Sequence, residues 1–211
     1  MNRARISRLL SLTALSVLGV VLSSSIIWAQ TPPPADTLKV NYFSNAGQIL
    51  PQAVDAPYGV APDATVYVSN PGTSGGNICA MIYVLDPFQE LRECCGCSLS
   101  PDALLTLSVN DSLTSNSNPP ALLTTGTFKI VSSAGAPTCN PAKPKPTPAI
   151  RAWGTHIQNV STVPGLFITT ETDFQDATLS TAEVTKLASL CGSILTNSSG
   201  YGLCSCGSGD Q

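Results

Sequence analysis

Apolar and polar residues alternate in short runs along most of the chain, at the period of two that one-sided β-strands require. Leu38–Phe43 and Thr65–Val68 follow that pattern, and Asn70-Pro71-Gly72 ends the second run as a turn. Ile78–Leu85 is almost unbroken apolar sequence and predicts a central strand buried on both faces. Asp86-Pro87-Phe88 supplies turn chemistry, so Glu90–Cys97 is expected to return as its hairpin partner. Leu104–Val109 and Thr127–Val131 complete the strong strands, and Ile150–Val160 with Leu166–Thr170 adds two more. One helix is signalled. Ser180-Thr181-Ala182-Glu183 matches a capping box, Val184, Leu187, Leu190 or Cys191, and Ile194 recur on one face, and Asn197–Gly200 ends the run. The fold class expected is mainly β, an antiparallel sandwich-like domain with one C-terminal helix.

Two segments break the pattern. Arg3, Arg5 and Arg8 precede an apolar stretch from Leu9 to Leu22, then three serines and Ile26-Ile27-Trp28-Ala29. This order predicts a secretory signal peptide over 1–29 with cleavage after Ala29, followed by a disordered lead-in over 30–36. An uncleaved anchor is the alternative, because Leu9–Trp28 is almost long enough to span a bilayer. Pro137 to Pro148 holds five prolines and predicts a polyproline-like crossing segment, 137–149, between a domain at 37–136 and strands, helix and tail at 150–211 that pack on it.

Charged residues are 11% of the 211, so Ser, Thr, Asn, Gly and Pro carry the polar positions, as suits a turn-rich β protein. The formal charge is −3, and loss of the three leader arginines leaves the mature chain near −6. A mildly acidic surface without a basic cluster argues against nucleic acid, and no second apolar run predicts a membrane span after cleavage.

The cysteines carry the most information. Cys79, Cys94, Cys95, Cys97, Cys139, Cys191, Cys204 and Cys206 form an even set, which an oxidising compartment joins as disulfides. A three-residue loop at or next to Phe88 is expected to set Cys95 or Cys97 across from Cys79. Cys191 is then expected to join Cys204 or Cys206, and Cys139 to reach the Cys94 cluster; eight cysteines allow 105 connectivities. Two alternatives compete. Cys94 and Cys97 have C-x-x-C spacing, as in thiol–disulfide oxidoreductases, but Ser98-Leu99-Ser100-Pro101 follows where a helix is needed. A zinc site from the cluster with Cys204 and Cys206 lacks finger spacing.

No other motif implies catalysis or a cofactor. Gly72-Thr73-Ser74-Gly75-Gly76 looks like the nucleophile loop of chymotrypsin-like proteases, but His156 is the sole histidine and follows the serine, so a glycine-rich turn is the better reading. Glu171, Asp173 and Asp176 are the nearest acidic group, either a hydrolase pair, a calcium site, or carboxylates leading into the helix. Asn110-Asp111-Ser112, Asn159-Val160-Ser161 and Asn197-Ser198-Ser199 are glycosylation sequons, which matter only for a eukaryotic source.

The segments Asn70-Pro71-Gly72, Cys79–Val84, Glu93–Cys97, Leu107–Val109, Ile150–Trp153, Thr155-His156 and Cys204–Gly207 together resemble an uncharacterised group of bacterial exported proteins. That resemblance implies an exported, disulfide-bonded product and carries no activity. The expected function is a non-enzymatic structural, adhesive or ligand-binding module, secreted, periplasmic or at the cell surface, with an extracellular protein or a glycan as partner. The alternative is an exported enzyme, either an oxidoreductase at Cys94 and Cys97 or a hydrolase using Glu171 with Asp173 or Asp176.

Overall fold

The computed structural model describes residues 37–45, 62–135, 138–159, 166–197 and 199–207. The expected signal peptide and lead-in lie outside these residues. Among the described residues nine strands and one α-helix follow in chain order, with a π-helical turn at Val109–Leu113 after the fifth strand: β1 Leu38–Ser44, β2 Thr65–Ser69, β3 Ile78–Leu85, β4 Leu91–Leu99, β5 Leu104–Ser108, β6 Thr125–Ala134, β7 Arg151–Asn159, β8 Phe167–Asp173, β9 Gln175–Ala177 and α1 Thr181–Thr196. The mainly β, antiparallel two-sheet fold with one C-terminal helix is as the sequence predicts. The larger sheet has the order β4-β3-β6-β1-β9 and the smaller β5-β2-β7-β8, with every pairing antiparallel.

Two apolar layers hold these elements. Ile78, Ala80, Ile82 and Val84 of β3 face the smaller sheet and meet Val66, Val68, Leu105 and Leu107 between the sheets. Cys79, Met81, Tyr83 and Leu85 point the other way and meet Leu187, Cys191 and Ile194 of α1. The helix thus covers the outer face of the larger sheet, which explains why β3 is apolar at all eight positions: both of its faces are buried. Among the described residues no helix is long and apolar enough to cross a membrane.

Two sequence signals are met differently. Ser180 Oγ accepts from the Glu183 backbone N–H, as a capping box requires, but the Glu183 carboxylate bonds Lys129 of β6 rather than closing the box. Asp173 and Asp176, read as a lead into the helix, stand on strands: Phe174 inserts into the core between them, and β9 adds itself to the edge at β1.

All eight cysteines are paired, and the pairs differ from those expected. They are Cys79–Cys139, Cys94–Cys191, Cys95–Cys204 and Cys97–Cys206, with Cα separations of 5.2–6.0 Å. In order along the chain, each of the first four joins its counterpart among the last four. The reason for the correction is a bulge. Leu85 pairs with Leu91, a register that would bring Cys97 across from Cys79, but Val84 pairs with Glu93, so Arg92 is an extra residue. Beyond it Cys79 stands opposite Ser98, and a one-residue slip turns Cys95 and Cys97 to the other face. Cys79 is left to the proline-rich segment, which crosses the helix-side face; there the Tyr83 hydroxyl donates to the Pro141 carbonyl at 2.7 Å. The crossing is so close that a Cβ on Gly96 would lie 2.3 Å from the Cys139 carbonyl oxygen.

Candidate functional site

A groove of about 420 Å³ opens where the loop after β5 meets the C-terminal tail, lined by residues that include Asn110, Asp111, Ser115, Asn116, Leu122 and Tyr201. Its walls are built from the bulge upward. An extra residue in a strand re-aims neighbouring side chains, and here Arg92 and Glu93, consecutive on β4, both bond the same loop. Glu93 Oε1 accepts from the Asn116 N–H at 2.9 Å, and the Arg92 guanidinium donates to the Pro119 carbonyl at 2.6 Å. The Asn118 N–H donates to the Arg92 carbonyl at 3.0 Å. Ser117 Oγ ties the loop internally, donating to Ala121 O and accepting from Ala121 N.

Asn116 passes the arrangement on to the tail. Its carbonyl accepts from the Gly202 N–H at 2.6 Å, and its Nδ2 donates to the carbonyls of Gly200 and Leu203. The tail then runs beside β4: the Cys94 N–H donates to Gly202 O, and the Cys204 N–H to Cys94 O. Loop and tail therefore pair the β4 edge of the larger sheet at Arg92 and Cys94, where it would otherwise present unpaired backbone groups. The bridges Cys95–Cys204 and Cys97–Cys206 make that pairing covalent.

Below the groove wall the electrostatics are unusual. Glu93 is fully buried and its Oε2 has no hydrogen-bond partner among the described residues. Burial raises its carboxyl to about 7, partly offset by the Asn116 N–H, which favours the ionised form. Arg92 is 7% exposed and lies 3.4 Å from Asp86, itself buried, while its Nε also lacks a hydrogen-bond partner among the described residues. Two charged residues are thus withdrawn from water to hold one surface loop.

The residues singled out in the sequence lie elsewhere. Cys94 and Cys97 point to opposite faces of β4 and pair with different partners, so the C-x-x-C bridge that an oxidoreductase would use is not formed. The thiolates of the candidate zinc cluster are likewise consumed as disulfides, and no metal-binding group of three or more His, Cys, Asp or Glu occurs among the described residues. Glu171 and Asp173 are exposed on β8, and Asp176 pairs with Lys39 of β1. Ser74 lies in a glycine turn and donates to the Gly76 carbonyl. His156 is 1% exposed, stacks on Tyr42 with ring centroids 4.0 Å apart, and bonds Thr172 Oγ1 at 2.7 Å. Burial holds its imidazole below the ordinary histidine range.

Sequence reading missed the groove. The available signal was Arg92-Glu93, two adjacent charges in a strand otherwise apolar enough to be buried. Comparisons with protein-family models, with curated proteins and with solved structures return no match.

Proposed function

We propose that this chain is an exported, non-enzymatic binding module whose disulfides hold a ligand-facing loop and tail on a rigid sandwich. The observation that carries the proposal is the pairing of all eight cysteines, three of them from β4. Such bridges persist in oxidising compartments and are rare where thiols are kept reduced. The charge-bearing leader supports export by the same logic. Binding is favoured over catalysis because the polar groups at the groove are spent on fixing backbone: Glu93 and Arg92 hold the loop, and Asn116 holds the tail.

The test is a mass measurement on protein recovered from the producing cell. Export predicts a chain that begins at Gln30 and is eight hydrogens lighter than its reduced form, with no thiol alkylated under native conditions. A cytosolic chain whose thiols alkylate freely would overturn the proposal.

A further inference from the structure

We propose that the groove between Asn110–Leu122 and Tyr201 binds a neutral pyranose ring, an assignment that rests on the binding-module reading above. Three observations lead there.

The first is size and shape. About 420 Å³ lies within the range of roughly 300–1,000 Å³ found for small-molecule sites. The opening is bounded by one loop and one tail rather than by a flat sheet face.

The second is lining chemistry. Tyr201 is 47% exposed and Leu122 more so, which gives the groove an aromatic and an aliphatic surface. Beside them stand the carboxylate of Asp111, the Asn116 amide, whose Nδ2 is held by the Gly200 and Leu203 carbonyls, the Asn110 amide, whose Oδ1 accepts from Asn45, and the Ser115 hydroxyl, which donates to the Asp111 carbonyl and keeps its lone pairs as acceptors. A sugar ring presents the matching pair of surfaces: C–H groups that pack on an aromatic face, and a rim of hydroxyls that both donate and accept. Asp111 is the one ionisable carboxylate in the lining and no Lys or Arg lines the groove, so phosphate and carboxylate ligands are disfavoured.

The third is preorganisation. Surface loops ordinarily move, and ordering one on binding costs affinity. This loop is fixed beforehand by Glu93 to the Asn116 N–H, Arg92 to Pro119, and Asn116 to the disulfide-anchored tail. Glu93 Oε2 and Arg92 Nε, buried and without a hydrogen-bond partner among the described residues, show how far polar satisfaction is set aside for that positioning.

The experiment uses the full mature, oxidised protein. Amide shifts are followed by NMR against glucose, galactose, mannose, N-acetylglucosamine and their β-linked disaccharides, each to about 10 mM, with glucuronate as the charged control. At least one neutral sugar is expected to shift Ser115, Asn116 and Tyr201 saturably. Tyr201→Ala should weaken that sugar at least about tenfold and Asp111→Asn several-fold, whereas Trp153→Ala, which removes the Trp153 ring stacked on Tyr67 across β7 and β2 of the smaller sheet, should leave it unchanged. Tyr201 is half exposed, so its removal leaves the fold intact, and the unchanged spectrum elsewhere checks this. A blank panel, tighter binding of glucuronate than of any neutral sugar, or shifts centred on Tyr67 and Trp153 would each overturn the assignment. Those outcomes leave the exported-module proposal standing if the thiol count remains zero; free thiols would remove that proposal instead.

Discussion

Glu93 Oε1 and the backbone N–H of Asn116 are joined at 2.9 Å with the Glu93 side chain wholly enclosed, so a carboxyl group and a surface loop share one fate. The folded state holds the Glu93 proton up to about pH 7, whereas the unfolded chain releases it near 4.5. Between those values the native state binds more protons, so stability falls as pH rises and is flat above about 7. The full shift corresponds to about 3 kcal/mol. Glu93→Gln should abolish this slope in urea titrations from pH 4 to 8. A slope unchanged in the variant would place the proton elsewhere.

His156 works in the opposite sense. Its folded imidazole titrates below 6.5, so its contribution is present above that value and is lost as pH falls through the folded pKa. Just below pH 6.5 the wild-type profile is then a difference of two opposed slopes. His156→Phe should unmask the Glu93 slope, and Glu93→Gln the histidine slope. Parallel slopes in the two variants would contradict the assignment.

The tail bridges should be mutually protective. Cys95–Cys204 and Cys97–Cys206 close loops of the same separation, 109 residues, two positions apart on β4. Once one is present the other closes little additional chain. Replacing either pair by serine should cost about 1–2 kcal/mol, well below the roughly 4–5 kcal/mol that an isolated loop of that length implies. Replacing both should cost more than the sum. Denaturation midpoints of the three variants check this; strict additivity would refute it.

Gly96→Ala introduces a Cβ 2.3 Å from the Cys139 carbonyl oxygen. Backbone must move, at a cost of about 2–4 kcal/mol. Because the displaced atom belongs to a bridged residue, the Cys79–Cys139 pair should form incompletely, and thiol titration should find up to two free thiols. A fully oxidised variant with wild-type stability would show that the crossing segment is free to shift.

Most of the framework is legible from hydrophobic spacing. β3 could be read because burial on two faces leaves an unbroken apolar run, and α1 because Val184, Leu187, Cys191 and Ile194 share one side. β9 could not: Gln175-Asp176-Ala177 has no pattern of its own and becomes a strand only because β1 offers an edge. The disulfide partners were hidden behind Arg92, since a single bulged residue decides which face each cysteine takes. The groove was hidden for a related reason, because its residues come from two segments about eighty positions apart whose meeting depends on those bridges.

The one-to-five, two-to-six, three-to-seven, four-to-eight order of the bridges has a consequence for biogenesis. As the chain emerges from its N-terminal end, Cys79, Cys94, Cys95 and Cys97 all arrive before any native partner exists. Every bond made among them at that stage is wrong and must later be broken by exchange. Productive maturation therefore requires either that each cysteine stay reduced until its partner has emerged, from Cys139 for Cys79 to Cys206 for Cys97, or a catalyst that reshuffles early bonds, and the yield of native protein should depend on which the host supplies.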